Sequence, residues 1–571
     1  MPTTGSPLDG IAEEVGETSK DPGGRRAPTG PGRTGRLVRL GWVAACVGCA
    51  VVVFSLVYAW RAGVDGGRHL GSGVSVSASS GSPGVSSGAP GGPAGDDAES
   101  TPGGRGGGYG SQADGTTGSR SDGTAPAGRR PTIWADPSGV GRPWGTKVSG
   151  LLTFRGNPSR TFYGVGPVPR RPKVLWRFPT SGRMCSISDD KEWCGTGWTG
   201  QPAVWERDGR TWVAFGAYDS AIHFLDAETG ERVLPDFRVG DIVKGSVTVD
   251  PDGFPILYSG SRDGNFRALA LDRREPTELW RLGAHEVSPT MWNDDWDSSA
   301  LVVGDHLLVG GENSQFHVVR LGRGRDGEGL VTLSPRLVFN TPSWDEELLA
   351  AAGDREMSIE GSVALHGSVA WFANSAGLVQ GWDLAALDKG ERPRRVFRFW
   401  TGEDTDASVV VDEEGMLYVA SEYEKGRERA RQVGQLMKLD PRKEDPLVWS
   451  VHVRDTKPGG LWATPALFED LVIAATNDGR VLGVERASGA LRWELELPGP
   501  LWQSPVVVDG VLVQGDCAGV LHAFNVSDTS RRPTELWSLE LGGCIESTPA
   551  VWKGRIWVGT RAGAFFGIGG S

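Results

Sequence analysis

The chain has only six cysteines in 571 residues, and no two of them are adjacent. None opens a C-x-x-C-H run, so a covalently attached c-type haem is excluded. Histidines number eight, are scattered, and include no metal-ligand pair by spacing. The net charge is −12 and the repeat region has no basic block, which argues against a nucleic-acid backbone as partner. Long apolar runs are missing too, with one exception.

That exception is Leu40–Trp60, which carries no charge and is long enough to cross roughly 30 Å of hydrocarbon as a helix. Lys20, Arg25, Arg26, Arg33, Arg36 and Arg39 precede it, whereas only Arg61 and Arg68 follow closely. The positive-inside bias puts the N-terminus in the cytoplasm and the rest outside. Two rival readings stay open: a cleaved signal peptide ending at Val57-Tyr58-Ala59, and a lipobox at Val43-Ala44-Ala45-Cys46. Both also place the remainder of the chain outside the cytoplasm.

The organisation expected is a disordered cytoplasmic tail (1–36), a transmembrane helix (37–61), a Gly/Ser/Pro-rich flexible linker (62–131), an ordered lead-in (132–172) and a repeat domain (173–571). A linker of about 70 residues has an r.m.s. span of roughly 45–50 Å, so the repeat domain is tethered but not held against the bilayer. Large apolar residues return in the lead-in, which is expected to pack on the outside of the repeat domain or across one end.

Glycine, at 85, and tryptophan, at 23, are abundant. Both serve a repeat. In Leu501–Leu541, two β-branched runs flank Asp509-Gly510, a hairpin signal because primed turns need positive φ. A third run, Val520–Asn525, and a fourth, Leu536–Leu539, complete a four-stranded unit. Aligned on Ser504, further units start at Gln201, Ser246, Ser299, Ser362, Ser408, Thr464 and Thr548. The last unit lacks its fourth strand, and Val174–Phe178 is placed to supply it. The fold expected is therefore an all-β, eight-bladed β-propeller whose N-terminal strand closes the last blade and leaves no open edge.

Val484–Trp493 and Leu225–Gly230 resemble the A-x-D-x-x-T-G-x-x-x-W tryptophan-docking motif, and Leu151–Phe178 looks like the segment before the first blade, of the bacterial PQQ-like propeller superfamily. The resemblance covers roughly 150–571 and is specific for fold, not activity. That superfamily includes quinoprotein dehydrogenases, which bind PQQ and Ca²⁺, and non-catalytic BamB-like members. For a dehydrogenase the resemblance implies an adjacent Cys-Cys disulfide, which this chain lacks, and nominates Trp296 as a floor, Asp297 as a base and Glu360 as a metal ligand.

Residues just before each inner strand face one another around a propeller's mouth. Two positions before each unit's anchor the chain has Thr199, Lys244, Asp297, Glu360, Asp406, Trp462, Trp502 and Glu546, with Trp198, Asp294, Asp295, Trp296 and Asp404 as neighbours. Four converging carboxylates, Asp297, Glu360, Asp406 and Glu546, suit a cation such as Ca²⁺ or a polar ligand. The plainer alternative is a wet channel mouth without a ligand. The favoured function is a membrane-anchored, extracytoplasmic binding or scaffold module with a cell-envelope partner, no nucleic acid and no resident cofactor. The alternative is a PQQ/Ca²⁺-dependent dehydrogenase. Cys185 with Cys194, and Cys517 with Cys544, are the favoured disulfides, the latter on neighbouring connections of one face; buried free thiols are the alternative.

Overall fold

A computed structural model describes residues 76–78, 133–145, 147–453 and 459–570. The expected transmembrane helix lies outside them. Among the described residues no helix is long and apolar enough to cross a membrane.

Among the described residues eight sheets of four strands or more follow one another, each with four antiparallel blade strands, as the repeat predicts. Their inner strands are Ala203–Arg207, Thr248–Val249, Leu301–Val303, Ala364–His366, Val410–Val411, Ala466–Phe468, Val506–Val508 and Ala550–Trp552, for blades one to eight. In blade seven the Asp509-Gly510 turn has φ of 51° and 72°, the paired positive values that a primed hairpin turn demands. The outer strand of blade eight is Lys173–Phe178, paired antiparallel with Ala564–Gly569, so the ring closes with the most N-terminal repeat strand. Val76–Ala78, inside the Gly/Ser/Pro-rich stretch, adds antiparallel to the outer strand of blade five.

The tryptophan motif works between blades. Trp449, from blade five, lies against Gly489 in the motif turn of blade six, where a Cβ would meet its ring at 2.8 Å. Its Nε1 donates to the Arg486 carbonyl at 3.0 Å. Trp176 of blade eight meets Gly230 of blade one in the same way and donates to the Ala227 carbonyl. Glycine is needed at both turns because φ is near +75° and because any side chain would displace the indole.

The lead-in departs from expectation. It runs neither outside the propeller nor merely across one end, but along the inner strands, inside the ring. Gly150–Leu151 pairs antiparallel with the inner strand of blade one, and Gly164–Val165 pairs parallel with that of blade eight. Between them the chain bonds to every other blade. Val249 N donates to Leu152 O, Thr153 Oγ1 to Ala300 O, Leu365 N to Pro158 O, Val411 N to Ser159 O and Leu467 N to Tyr163 Oη. Arg155 spans blades six and seven, donating to Pro465 O at 2.6 Å and Pro505 O at 2.5 Å. Arg160 donates to Val363 O of blade four. Inner strands present unpaired edge groups to the channel, and a buried edge group must find a partner. The lead-in supplies those partners and fills the channel.

Candidate functional site

Outer-to-inner connections and second-to-third strand turns emerge on one face of a propeller, at the start of the inner strands. The insertions gathered there include the disulfide-closed hairpin Cys185–Cys194 and the helices Glu346–Ala352 and Glu428–Val433. Beneath them the anchors form a hydroxyl ring. Backbone N–H groups of Gln201, Ser299, Ser362, Ser408 and Thr464 donate to Oγ atoms of Ser246, Ser362, Ser408, Thr464 and Ser504, each in the next blade. The lead-in contacts begin at and below this ring. The mouth above it is therefore a blind cup, not the entrance to a tunnel.

The predicted column lines this cup, but in separate groups. Lys244 Nζ lies 2.8 Å from Asp297, 3.3 Å from Asp295 and 3.2 Å from Glu312. Arg262 also reaches Asp295, at 3.2 Å. Burial pushes the Asp297 carboxyl up to about 7, although Lys244 pulls it back. Glu546 pairs with Arg561 at 3.1 Å, and that guanidinium sits over Trp193 and Tyr218.

The opposite side is different. Asp404, Asp406 and Glu422 bring carboxylate oxygens within 4.8 Å of one another, and Glu360 shares Ser375 with Asp406. Their bonds come from neutral donors: Trp462 Nε1 to Asp406 at 3.2 Å, Ser358 to Glu360 at 3.0 Å, and Asn477 to Glu422 at 3.3 Å. Among the described residues none of the four has an ion pair with lysine, arginine or histidine. Burial, then mutual repulsion, pushes Glu360, Asp404 and Glu422 well above the usual carboxylate range. Burial raises Asp406 against the pull of its hydrogen bonds. Trp462 stacks on Trp198 at 5.3 Å and meets Trp502 edge-on at 5.4 Å.

Two expectations need correction. Trp296 is 1 % exposed and packs on Phe266 and His317 in the core between blades, so it does not line the mouth. Asp297, Glu360, Asp406 and Glu546 do not form one metal-ligand set, because Asp297 is tied to Lys244 and Glu546 to Arg561, while Glu360 and Asp406 share Ser375 on the opposite side. Among the described residues two carboxylate triads are close enough to share a cation: Asp295, Asp297 and Glu312, which already hold Lys244, and Asp404, Asp406 and Glu422. Glu312, Glu422 and Arg561 went unrecognised in the sequence. They lie on second-to-third strand turns, and only the propeller's geometry carries those turns to the column. The residues nominated for PQQ do not fit it: the floor tryptophan is sealed in the core and the base is held by Lys244. Both expected disulfides are present, Cys185–Cys194 and Cys517–Cys544. A cavity of about 680 Å³ opens elsewhere, between outer parts of blades three and four near Arg336, Phe339 and Arg392, and holds none of the predicted residues.

Eight blades, interblade tryptophan docking and the closing N-terminal strand make an eight-bladed β-propeller that fits the PQQ-like repeat pattern. Within that class the chain resembles BamB at the level of fold: residues 432–568 match the family model described as outer membrane protein assembly factor BamB. No curated protein matches the chain. Among solved structures it is similar to BamB from Moraxella catarrhalis, at 18 % identity and TM-score 0.45, over 70 % of this chain and 98 % of that one. The quinohemoprotein alcohol dehydrogenase of Comamonas testosteroni aligns at 13 % identity and TM-score 0.48, over 74 % and 81 % of the two chains. The quinohemoprotein alcohol dehydrogenase ADHIIG of Pseudomonas putida HK5 aligns at 10 % and 0.49, over 74 % and 80 %.

Proposed function

We propose that this chain is a membrane-tethered, extracytoplasmic propeller that binds a partner protein at its acidic, tryptophan-lined mouth and catalyses no reaction. One observation carries the reading. The lead-in fills the channel below the anchor ring, so the mouth is a blind cup walled by buried and half-buried carboxylates and three tryptophans, a recognition surface rather than a passage. Aromatic side chains beside placed polar groups are what partner binding uses. The BamB-type family match supports a binding or scaffold role in general. The two disulfides support an oxidising compartment. The tether rests on the uncharged Leu40–Trp60 run alone.

Thermal unfolding of the full chain in detergent, with PQQ, Ca²⁺, both, or EDTA, tests the reading, since a ligand bound only to the native state raises the midpoint. The expected result is no shift with PQQ, with or without Ca²⁺. A large shift with both together, followed by dye reduction with alcohols or sugars, overturns it in favour of a quinoprotein dehydrogenase. Protease added to intact cells reads the location: cleavage in the linker is expected, and full protection overturns the extracytoplasmic placement.

A further inference from the structure

We infer that the group recognised at the mouth is a basic side chain, arginine or lysine, of a partner polypeptide, held by Glu360, Asp404, Asp406 and Glu422 with Trp292 as its apolar contact on the rim. The inference rests on the binding-module reading above and names what that module binds.

The first ground is charge asymmetry within one cup. On the Lys244 side every acidic group already has a cation of this chain. On the Trp462 side four carboxylates have only neutral donors, and Asp404 Oδ1 is buried with no hydrogen-bond partner. A carboxylate cluster of this kind, with Asp406 and Glu422 buried and Glu360 and Asp404 half-buried, is complementary to an incoming cation.

The second ground separates a basic side chain from a bare metal ion. Trp198 is 4 % exposed and stacked on Trp462, and its Nε1 has no acceptor. A ligand for this wall must therefore donate to carboxylates and also accept from an indole N–H. A basic side chain on a peptide backbone does both; a metal ion accepts nothing. Planar guanidinium groups also stack on tryptophan faces, which a hydrated divalent ion does not.

The third ground is the rim. Trp292 is 49 % exposed and has φ of +66°, a conformation that bulky side chains avoid and that concentrates at functional sites. Its neighbours hold it there. Met291 N donates to Asn313 O and Asn293 N to Glu312 O, while Asn293 Nδ2 donates to Glu312 Oε2 at 2.9 Å. Glu312, of the neighbouring Lys244 group, thus fixes the backbone that presents the indole. Ile187, 68 % exposed on a strand of the disulfide-closed hairpin, adds a second apolar contact on this face. Exposed tryptophan beside a polar, charged pocket is the composition of an interaction hot spot.

The test is calorimetric titration of the full chain in detergent with the peptide acetyl-Gly-Arg-Gly-amide, its citrulline isostere, and CaCl₂ alone. The arginine peptide is expected to bind at least tenfold more tightly than the citrulline peptide. Asp406→Asn and Trp292→Ala are each expected to weaken it at least fivefold, with thermal midpoints checked for folding. Glu444→Gln, on an exposed turn, should leave it unchanged. Equal affinity for the citrulline peptide overturns the inference, because charge then plays no part. Saturable Ca²⁺ binding lost in Asp406→Asn, without peptide binding, overturns it in favour of a metal site. Photo-crosslinking in cells from a benzoylphenylalanine replacing Trp502 separates the two levels. A captured partner without arginine-peptide binding sinks this inference alone; no partner and no peptide binding sinks the binding-module reading as well.

Discussion

Arg155 and Pro505 are 350 residues apart in the chain, yet the guanidinium donates to the Pro505 carbonyl at 2.5 Å inside the ring. Its other amino group reaches Pro465 O. Arg155 is fully buried, and burial lowers its proton affinity, but among the described residues no carboxylate pairs with it. The charge is held by backbone dipoles and by the Tyr163 ring at 4.3 Å. Arg155→Ala would leave the Pro465 and Pro505 carbonyls without this partner in a buried channel. It should cost about 3–5 kcal/mol in a denaturant titration. Arg155→Lys should recover only part of this, because one ammonium lacks the fork that spans both carbonyls.

Gly489→Ala tests the interblade dock. The new Cβ would meet the Trp449 ring at 2.8 Å, at φ of +77°. Trp449 is buried and cannot retreat into solvent. A loss of about 2–4 kcal/mol is expected, from left-handed strain plus overpacking. Gly554→Ala also has positive φ, but nothing lies within 4 Å of its Cβ position, so it reports the strain alone. The difference in unfolding midpoint between the two variants measures the dock.

Glu403 holds an insertion at the mouth face. It is fully buried and accepts backbone N–H groups from Glu424 at 3.1 Å, Lys425 at 2.9 Å and Arg427 at 3.2 Å, and from Gly426. Arg427 is also the N-cap of the helix Glu428–Val433. Glu403→Gln replaces one acceptor oxygen by a donor facing N–H groups. The loss should be about 2–4 kcal/mol. Limited proteolysis should then cut first between 424 and 433.

Stability should depend on pH through Asp297. Its carboxyl titrates near 7 in the folded protein against an ordinary value of 3.8. Between those values the folded state holds a proton that the unfolded chain has released. Stability from this group is therefore highest at low pH and falls as pH rises toward about 7. Asp297→Asn should make the fall in thermal midpoint between pH 5 and pH 8 shallower, the remainder coming from the other raised carboxyls of the cup. A wild-type midpoint that rises over that interval, unchanged in the variant, would refute the assignment.

The blades were legible because their information is local. Alternation, Asp-Gly turns and one closing aromatic per unit are written within forty residues or so. The lead-in was not legible, because LLTFRGNPSRTFY shows no period and its partners are backbone groups of eight distant strands. The column of mouth residues was legible as a column, since inner strands start in register. Its division into a lysine-neutralised side and an uncompensated side was not. That division depends on Glu312 and Glu422, which stand on turns of other strands. Trp296 was misplaced and Trp292 passed over because both lie beside aspartates in MWNDDWD, and only backbone direction tells which indole faces solvent.

The strand Lys173–Phe178 and the channel-filling segment before it have a consequence for biogenesis. The residues made first among the repeats wait for those made last. Until Ala564–Gly569 has emerged, the eighth sheet has no partner for Lys173–Phe178, and the ring cannot lock around its own thread. Blade-by-blade maturation during synthesis or export would leave an open horseshoe with exposed edges. The chain must therefore be kept from committing until its C-terminal residues arrive, and truncations there should be felt at the opposite end of the sequence.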